Sequence, residues 1–253
     1  MSTFKLIRFQ EQYDVARLSL ARPPLNIMTI EMMGEINQAL ERAGANPSLK
    51  VLVIGGEGKA FSAGVAVEDH MGDRVKPMLE TFHQIFRGLR ALECMTLAAV
   101  QGPALGGGAE LATFCDFVVA SEAATLGQPE VKDGVFPPIA ALHYPKREGL
   151  AQTLRLLCSG ETIGATEAQR IGLVDRVVPA DKLAEAVEAD IERFRAQSAV
   201  VLRLTKRAVC DSAGVAFDEA LATLEELYHR ELMTTEDAAE GLRAFVEKRK
   251  PVW

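Results

Sequence analysis

Three short apolar runs do most to limit what this chain can become. Val51-Leu52-Val53-Ile54, Thr96 to Val100 and Phe117 to Ala120 are almost free of polar side chains, and Gly55-Gly56 bounds the first of them. A strand with one wet face alternates polar and apolar residues, so runs this apolar describe strands covered on both faces. Such strands belong to parallel sheets whose crossovers are helices. Helical patterns lie where those crossovers are needed. Thr29 stands as N-cap to a helix that carries Met33, Ile36 and Leu40 and ends near Gly44 and Asn46-Pro47. Between the first and second runs, Val75, Leu79, Phe82, Phe86, Leu89 and Leu92 share one helical face, with Pro77 tolerable near the first turn.

The ends of the chain read differently. Phe4 to Phe9 and Val15 to Leu20 form a hairpin pattern around the polar break Gln10 to Asp14, and Arg22-Pro23-Pro24 stops the second strand. A last strand is expected at Val174 to Val178. After Pro179 only helical patterns remain, over 181–197, 199–211, 215–232 and 236–248. The expected class is therefore α/β, with residues 1–179 as a β/α core and 180–253 as a helical region packed on the core or on a neighbouring subunit.

Composition excludes several alternatives. With 253 residues the chain can bury roughly three quarters of its unfolded surface and needs no staples. No apolar run approaches the ~18 residues of a membrane span, and Met1-Ser2-Thr3-Phe4-Lys5 lacks a signal-peptide pattern, so no membrane association is expected. A net charge of −7 argues against a broad nucleic-acid surface. Cys94, Cys115, Cys158 and Cys210 are too far apart for a zinc knuckle or a disulfide framework, which fits buried thiols in a reducing cytoplasm. No histidine pair among His70, His83, His143 and His229 has metal-ligand spacing, so no metal is expected.

Two glycine-bearing loops hold the candidate chemistry. Gly58-Lys59-Ala60-Phe61-Ser62-Ala63-Gly64 and Gly102-Pro103-Ala104-Leu105-Gly106-Gly107-Gly108 each follow a buried strand and precede a helix. Neither fits a nucleotide loop: Val53 stands where a phosphate loop has its first glycine, Ala60 where it has Ser or Thr, and Ala104 breaks the dinucleotide spacing. Their glycines either permit close packing or let one N–H from each loop face a ligand oxygen, forming an oxyanion hole. Ser62 lacks the nucleophile-elbow context. Glu110 lies in a helix that otherwise reads apolar, and a buried glutamate needs a partner or a task. Glu130, in Gly127-Gln128-Pro129-Glu130, reads either as a surface carboxylate or as a side chain entering a cleft. Two glutamates at one oxyanion hole can hold a water and act as base and acid.

Taken together, Phe61-Ser62-Ala63-Gly64-Val65, Gly102 to Leu111, Cys115-Asp116 and Gly127-Gln128-Pro129-Glu130 resemble the enoyl-CoA hydratase/isomerase (crotonase) superfamily. Gly172-Leu173-Val174-Asp175 and Phe245-Val246-Glu247-Lys248-Arg249-Lys250-Pro251 extend the resemblance over nearly the whole chain. It implies a crotonase-like (ClpP/crotonase) β-β-α superhelix with a C-terminal helical trimerisation region, assembled as a homotrimer or as a hexamer built from two trimers. It implies an acyl-CoA thioester as substrate, coenzyme A entering only as part of that substrate, and no separate cofactor. Val65 and Gly107 match the oxyanion N–H groups, and Glu110 and Glu130 the two catalytic glutamates of the hydratase branch.

The same resemblance points to Pro24, Leu25, Ile27, Ala63, Ala66, Val67, Glu68, Gly106 and Gly108 as substrate-contacting positions. Arg22, Lys248 and Lys250 are its candidate cations for the coenzyme A phosphates, although the last two also read as a solvated helix end. Two departures stand out. Ala66 replaces a common aspartate, and Gly134-Val135-Phe136-Pro137-Pro138-Ile139-Ala140 replaces a glycine-rich stretch. Phe136, Pro137 and Pro138 would stiffen the acyl pocket wall and favour a flat cyclic acyl group. The combination resembles the branch that hydrates cyclohexa-1,5-diene-1-carbonyl-CoA in anaerobic benzoyl-CoA degradation. A straight-chain 2-enoyl-CoA hydratase, a ring hydrolase or isomerase of the superfamily, and a non-catalytic CoA- or RNA-binding member are the competing readings.

Overall fold

The computed structural model describes residues 4–253. In chain order its strands are β1 (Ile7–Gln12), β2 (Val15–Leu20), β3 (Val51–Gly56), β4 (Met95–Val100), β5 (Ala104–Leu105), β6 (Phe117–Ser121), β7 (Thr125–Gly127), β8 (Thr162–Gly164) and β9 (Arg176–Val178). Its α-helices are α1 (Ile30–Gly44), α2 (Val75–Ala91), α3 (Gly107–Phe114), α4 (Pro138–Arg147), α5 (Leu150–Ser159), α6 (Ala165–Arg170), α7 (Leu183–Arg195), α8 (Ala199–Ser212), α9 (Phe217–Arg230) and α10 (Glu236–Val246). Six strands form one sheet in the order β1-β2-β3-β4-β6-β9, and β5, β7 and β8 form a smaller one. In the large sheet only the β1–β2 pair is antiparallel.

The apolar runs are explained by what covers each face of this sheet. Leu18, Leu20, Leu52, Ile54, Ala98, Val100 and Val118 point to a core shared with α1, α2 and α3. The intervening residues Val15, Val51, Val53, Leu97 and Val119 point to the other face, where Leu183, Val187 and Ile191 of α7 cover them. Successive residues of a strand face opposite sides, so a sheet covered twice needs apolar residues at both parities. The first helix after Pro179 thus completes the sheet, whereas α8 and α9 contain no buried residue.

Several details differ from the sequence expectation. The first strand begins at Ile7 and continues through Gln12, because the ladder Ile7↔Leu20 to Gln12↔Val15 leaves only Tyr13-Asp14 for the turn. Polar side chains do not interrupt backbone pairing on an edge strand. Thr29 caps α1 as expected, its side chain accepting from the Met32 N–H. On α2 the buried stripe is Met78, Phe82, Ile85, Phe86 and Leu89, with Val75 and Leu79 only half-buried, so the helix is rotated from the expected face. The last strand is short, starting at Arg176. Among the described residues, no helix is long and apolar enough to cross a membrane.

One buried amide holds the loops at the ends of β2 and β3 together. Asn26 is fully buried, and its Nδ2 donates to the carbonyls of Glu57 (2.9 Å), Ala60 (2.8 Å) and Phe61 (3.1 Å) while Oδ1 accepts from the Arg22 N–H at 3.0 Å. Its own carbonyl accepts from Ser62 Oγ at 2.8 Å. Removing the amide strands several buried backbone groups at once. Asn26→Ala is expected to lower unfolding stability by about 2–4 kcal/mol, read as a shifted midpoint in urea denaturation at unchanged slope.

Candidate active site

Both glycine-bearing loops leave the ends of parallel strands, β3 and β4, where open α/β sheets place their ligands. They are stitched to each other. Phe61 N–H donates to Pro103 O at 3.0 Å, and Leu105 N–H to Ser62 O at 2.9 Å. The approach is close enough to require glycine: a Cβ on Gly108 would stand 2.4 Å from Ser62 O. One on Gly107 would stand 2.9 Å from both Val65 Cγ2 and the Phe82 ring. Val65 and Gly107 are thereby brought side by side.

Their N–H groups are oriented by the backbone around them. Val65 pairs with Met28 in a parallel bridge made by Met28 N–H to Gly64 O (2.8 Å) and Ala66 N–H to Met28 O (2.9 Å). That pairing uses the groups on either side of Val65, so the Val65 N–H points away from Met28. Gly107 is the first residue of α3, where an N–H has no partner within the helix and the helix dipole adds positive potential. Among the described residues neither N–H donates to a protein acceptor. Two such donors can stabilise one developing oxyanion.

The carboxylates meet these loops. Glu110 is buried in the first turn of α3, and its Oε1 accepts from the Ala140 N–H at 2.7 Å. Burial pushes its carboxyl up to about 8, opposed by the Ala140 bond and reinforced by the charge of Glu130. Glu130 lies in the 3₁₀ turn Pro129–Asp133, directly after β7. Gly106 has a φ of +52°, a conformation that favours glycine, and its missing Cβ, which would lie 2.6 Å from Glu130 Oε1, leaves room for this carboxylate beside the loop. Burial pushes Glu130 up to about 7, with the charge of Asp133 adding to it.

Two residues that sequence reasoning did not single out complete the cluster. Gln128 and Tyr144 are both buried. Their surroundings fix the orientation of the Gln128 amide: its oxygen accepts from Tyr144 Oη at 2.8 Å, and its nitrogen donates to Glu130 Oε2 and Oε1 at 3.1 and 3.2 Å. Gln128 stood inside the recognised Gly127 to Glu130 motif. Tyr144, sixteen residues further on and in a helix with no sequence signal, carried none.

The remaining expected site residues are distributed as follows. Pro137 and Pro138 occupy the N-cap and first position of α4, where proline loses no hydrogen bond. Pro137 is buried, whereas Phe136 is 72% exposed. Ala66 is buried, and Val67 and Glu68 stand exposed on the following 3₁₀ turn. The loop of Pro24, Leu25 and Ile27 lies beside Ala63, whose N–H donates to Leu25 O at 2.8 Å. Arg22 is exposed, with Nη1 donating to Ile27 O at 2.9 Å. Lys248 and Lys250 are exposed on a C-terminal segment fastened by Trp253 Nε1 to Ala196 O (2.9 Å), at the α7–α8 junction.

The Enoyl-CoA hydratase/isomerase family model matches residues 10–253. The cyclohexa-1,5-dienecarbonyl-CoA hydratase of Thauera aromatica is 40% identical over 95% of this chain and 93% of its own length. The crotonyl-CoA hydratase of Syntrophomonas wolfei is 32% identical over 98% of this chain and 97% of its own. The crystal structure of an enoyl-CoA hydratase subunit from Geobacillus kaustophilus superimposes with a TM-score of 0.92 at 34% identity, covering 100% of this chain and 99% of that one. With its glycine loops and paired glutamates joined in one site, the chain belongs to the enoyl-CoA hydratase/isomerase family.

Proposed function

We propose that this hydro-lyase adds water to a conjugated cyclic dienoyl thioester, converting cyclohexa-1,5-diene-1-carbonyl-CoA to 6-hydroxycyclohex-1-ene-1-carbonyl-CoA. The observation that carries the hydratase reading is the carboxyl pair Glu110 and Glu130, both raised toward neutrality by burial, beside two N–H groups without protein acceptors. Similarity to the Thauera enzyme and the Pro137-Pro138 entry into α4 support the cyclic substrate.

The chemistry follows from these groups. The thioester oxygen sits at the N–H groups of Val65 and Gly107. One carboxylate takes a proton from water as its oxygen bonds to ring carbon C2. The electrons of the C1=C2 bond move into a dienolate whose charge rests partly on the thioester oxygen, where each donor contributes about 3–4 kcal/mol. The other, protonated carboxyl delivers its proton to C5, leaving one double bond and restoring the pair's proton count. No electron transfer occurs, so the reaction as proposed uses no redox cofactor, and the charge on the thioester oxygen is assigned to the two backbone N–H groups rather than to a metal.

Assembly belongs to the same reading. Phe217 (77% exposed) and Phe245 (83%) lie with Val209, Leu221, Tyr228 and Val246 as exposed apolar residues of α8, α9 and α10. We place these faces of the helical region 180–253 against other copies in a homotrimer or a hexamer of two trimers. Arg22 reaches the coenzyme A phosphates of its own site, and Lys248 and Lys250 those of a neighbouring one. The expectation of buried thiols holds for Cys94 and Cys115, whereas Cys158 of α5 and Cys210 of α8 are exposed; free thiols at all four fit a cytoplasmic protein.

Steady-state turnover of cyclohexa-1,5-diene-1-carbonyl-CoA and crotonyl-CoA, with product masses, tests the reaction. The cyclic thioester is expected to be preferred and to gain one water with its ring intact. Faster turnover of crotonyl-CoA overturns the cyclic assignment. Glu110→Gln and Glu130→Gln should each lower kcat at least tenfold with CoA-thioester binding retained. Because one carboxyl must be ionised and the other protonated, kcat/KM should rise through about pH 7 and fall above about 8, as a pH–rate profile will read. Sedimentation or light scattering should return three or six chain masses; a monomer refutes the assembly.

A further inference from the structure

Helix α4 reaches both carboxylates. Its third residue, Ala140, donates its backbone N–H to Glu110, and one turn later Tyr144 reaches Glu130 through the Gln128 amide. The helix is itself fixed to the end of α3: Arg147 Nη1 donates to Thr113 O at 2.8 Å, and His143 Nε2 lies 2.9 Å from the same oxygen. An amide has two nearly isosteric orientations; an ionised carboxylate, which only accepts, draws the nitrogen, and a donor on the far side of the amide reinforces that choice. Tyr144 Oη, which also lies within hydrogen-bond reach of Thr113, is that donor.

We propose that Tyr144 is a positioning residue for the reaction: by donating to Gln128 Oε1 it keeps the amide nitrogen on Glu130 and so holds that carboxylate in place and in its ionised form. This rests on the reading of Glu130 as an acid–base group. Besides Gln128, Glu130 faces Glu110 from α3 and Asp133 from its own turn, and Tyr144 faces Glu110 and Glu148. These are carboxyl groups, of which Glu110 and Glu148 are themselves raised by burial, while Lys132 shares the Glu130 turn and His143 and Arg147 share α4 with Tyr144. Without the tyrosine hydroxyl, the amide is free to turn its oxygen toward Glu130, which favours the protonated carboxyl.

Difference infrared titration of the full-length protein reads this directly, with the Glu130 band identified by its loss in Glu130→Gln. In Tyr144→Phe the Glu130 midpoint should move to higher pH by at least roughly half a pH unit, with the ascending limb of kcat/KM for cyclohexa-1,5-diene-1-carbonyl-CoA moving alike. Gln128→Ala should shift it in the same direction, and Tyr144→Phe should add nothing in that background. An unmoved midpoint in Tyr144→Phe, or an equal shift with Gln128 already removed, overturns the proposal. Full turnover by Glu130→Gln instead overturns the acid–base reading beneath it.

Discussion

A carboxyl group buried inside an apolar helix has to be met by a donor, and much of this molecule is arranged around that need at Glu110. The donor is the Ala140 N–H, one of the first-turn amides that a helix cannot satisfy internally. Glu110 and α4 therefore complete each other: the helix start covers an otherwise stranded carboxyl, and the carboxyl takes up an otherwise stranded N–H. Pro137 and Pro138 fit at this point because neither the N-cap nor the first helical position needs to donate within the helix. Residues that read in sequence as a change to the acyl pocket wall also serve to begin the helix that supports the acid.

The pair of glutamates shows how environment divides two chemically identical groups. Glu110 is enclosed and held by one backbone amide; Glu130 is less buried and is held by a side-chain amide. Both are raised by desolvation, and the charge of one raises the other. Near neutral pH such a pair keeps one proton between its members, the state in which a base and an acid are both present. The two loop N–H groups lie at the site without titrating at all. Charge stabilisation is thus assigned to the backbone and proton transfer to side chains.

The features legible in sequence were those with a local physical cause. Val51 to Ile54 could be read because both faces of a buried strand must be apolar, Thr29 because helix starts need an acceptor, and Glu110 because a charge among Ala109, Leu111 and Ala112 is anomalous. The small sheet was missed because strands of two or three residues carry no periodicity. Helix α4 was missed because Pro138 and Pro145 mask its pattern. The Tyr144–Gln128–Glu130 chain arises only once α4 folds back to bring Tyr144 onto Gln128, so no spacing along the chain announces it. The rotation of α2 was decided by Met78 and Ile85 filling the core in place of Val75 and Leu79, a choice made by packing.

The contact between Gly106 and Glu130 has an evolutionary consequence. A side chain at 106 would meet the Glu130 carboxylate, and at φ +52° it would be strained even with a shorter residue at 130. The glycine is therefore kept by backbone conformation as well as by its neighbour. A descendant of this site that loses its second carboxylate in one substitution still carries Gly106. The space beside the loop stays open in such a descendant, so restoring the glutamate is a single step and the loss at 130 is reversible.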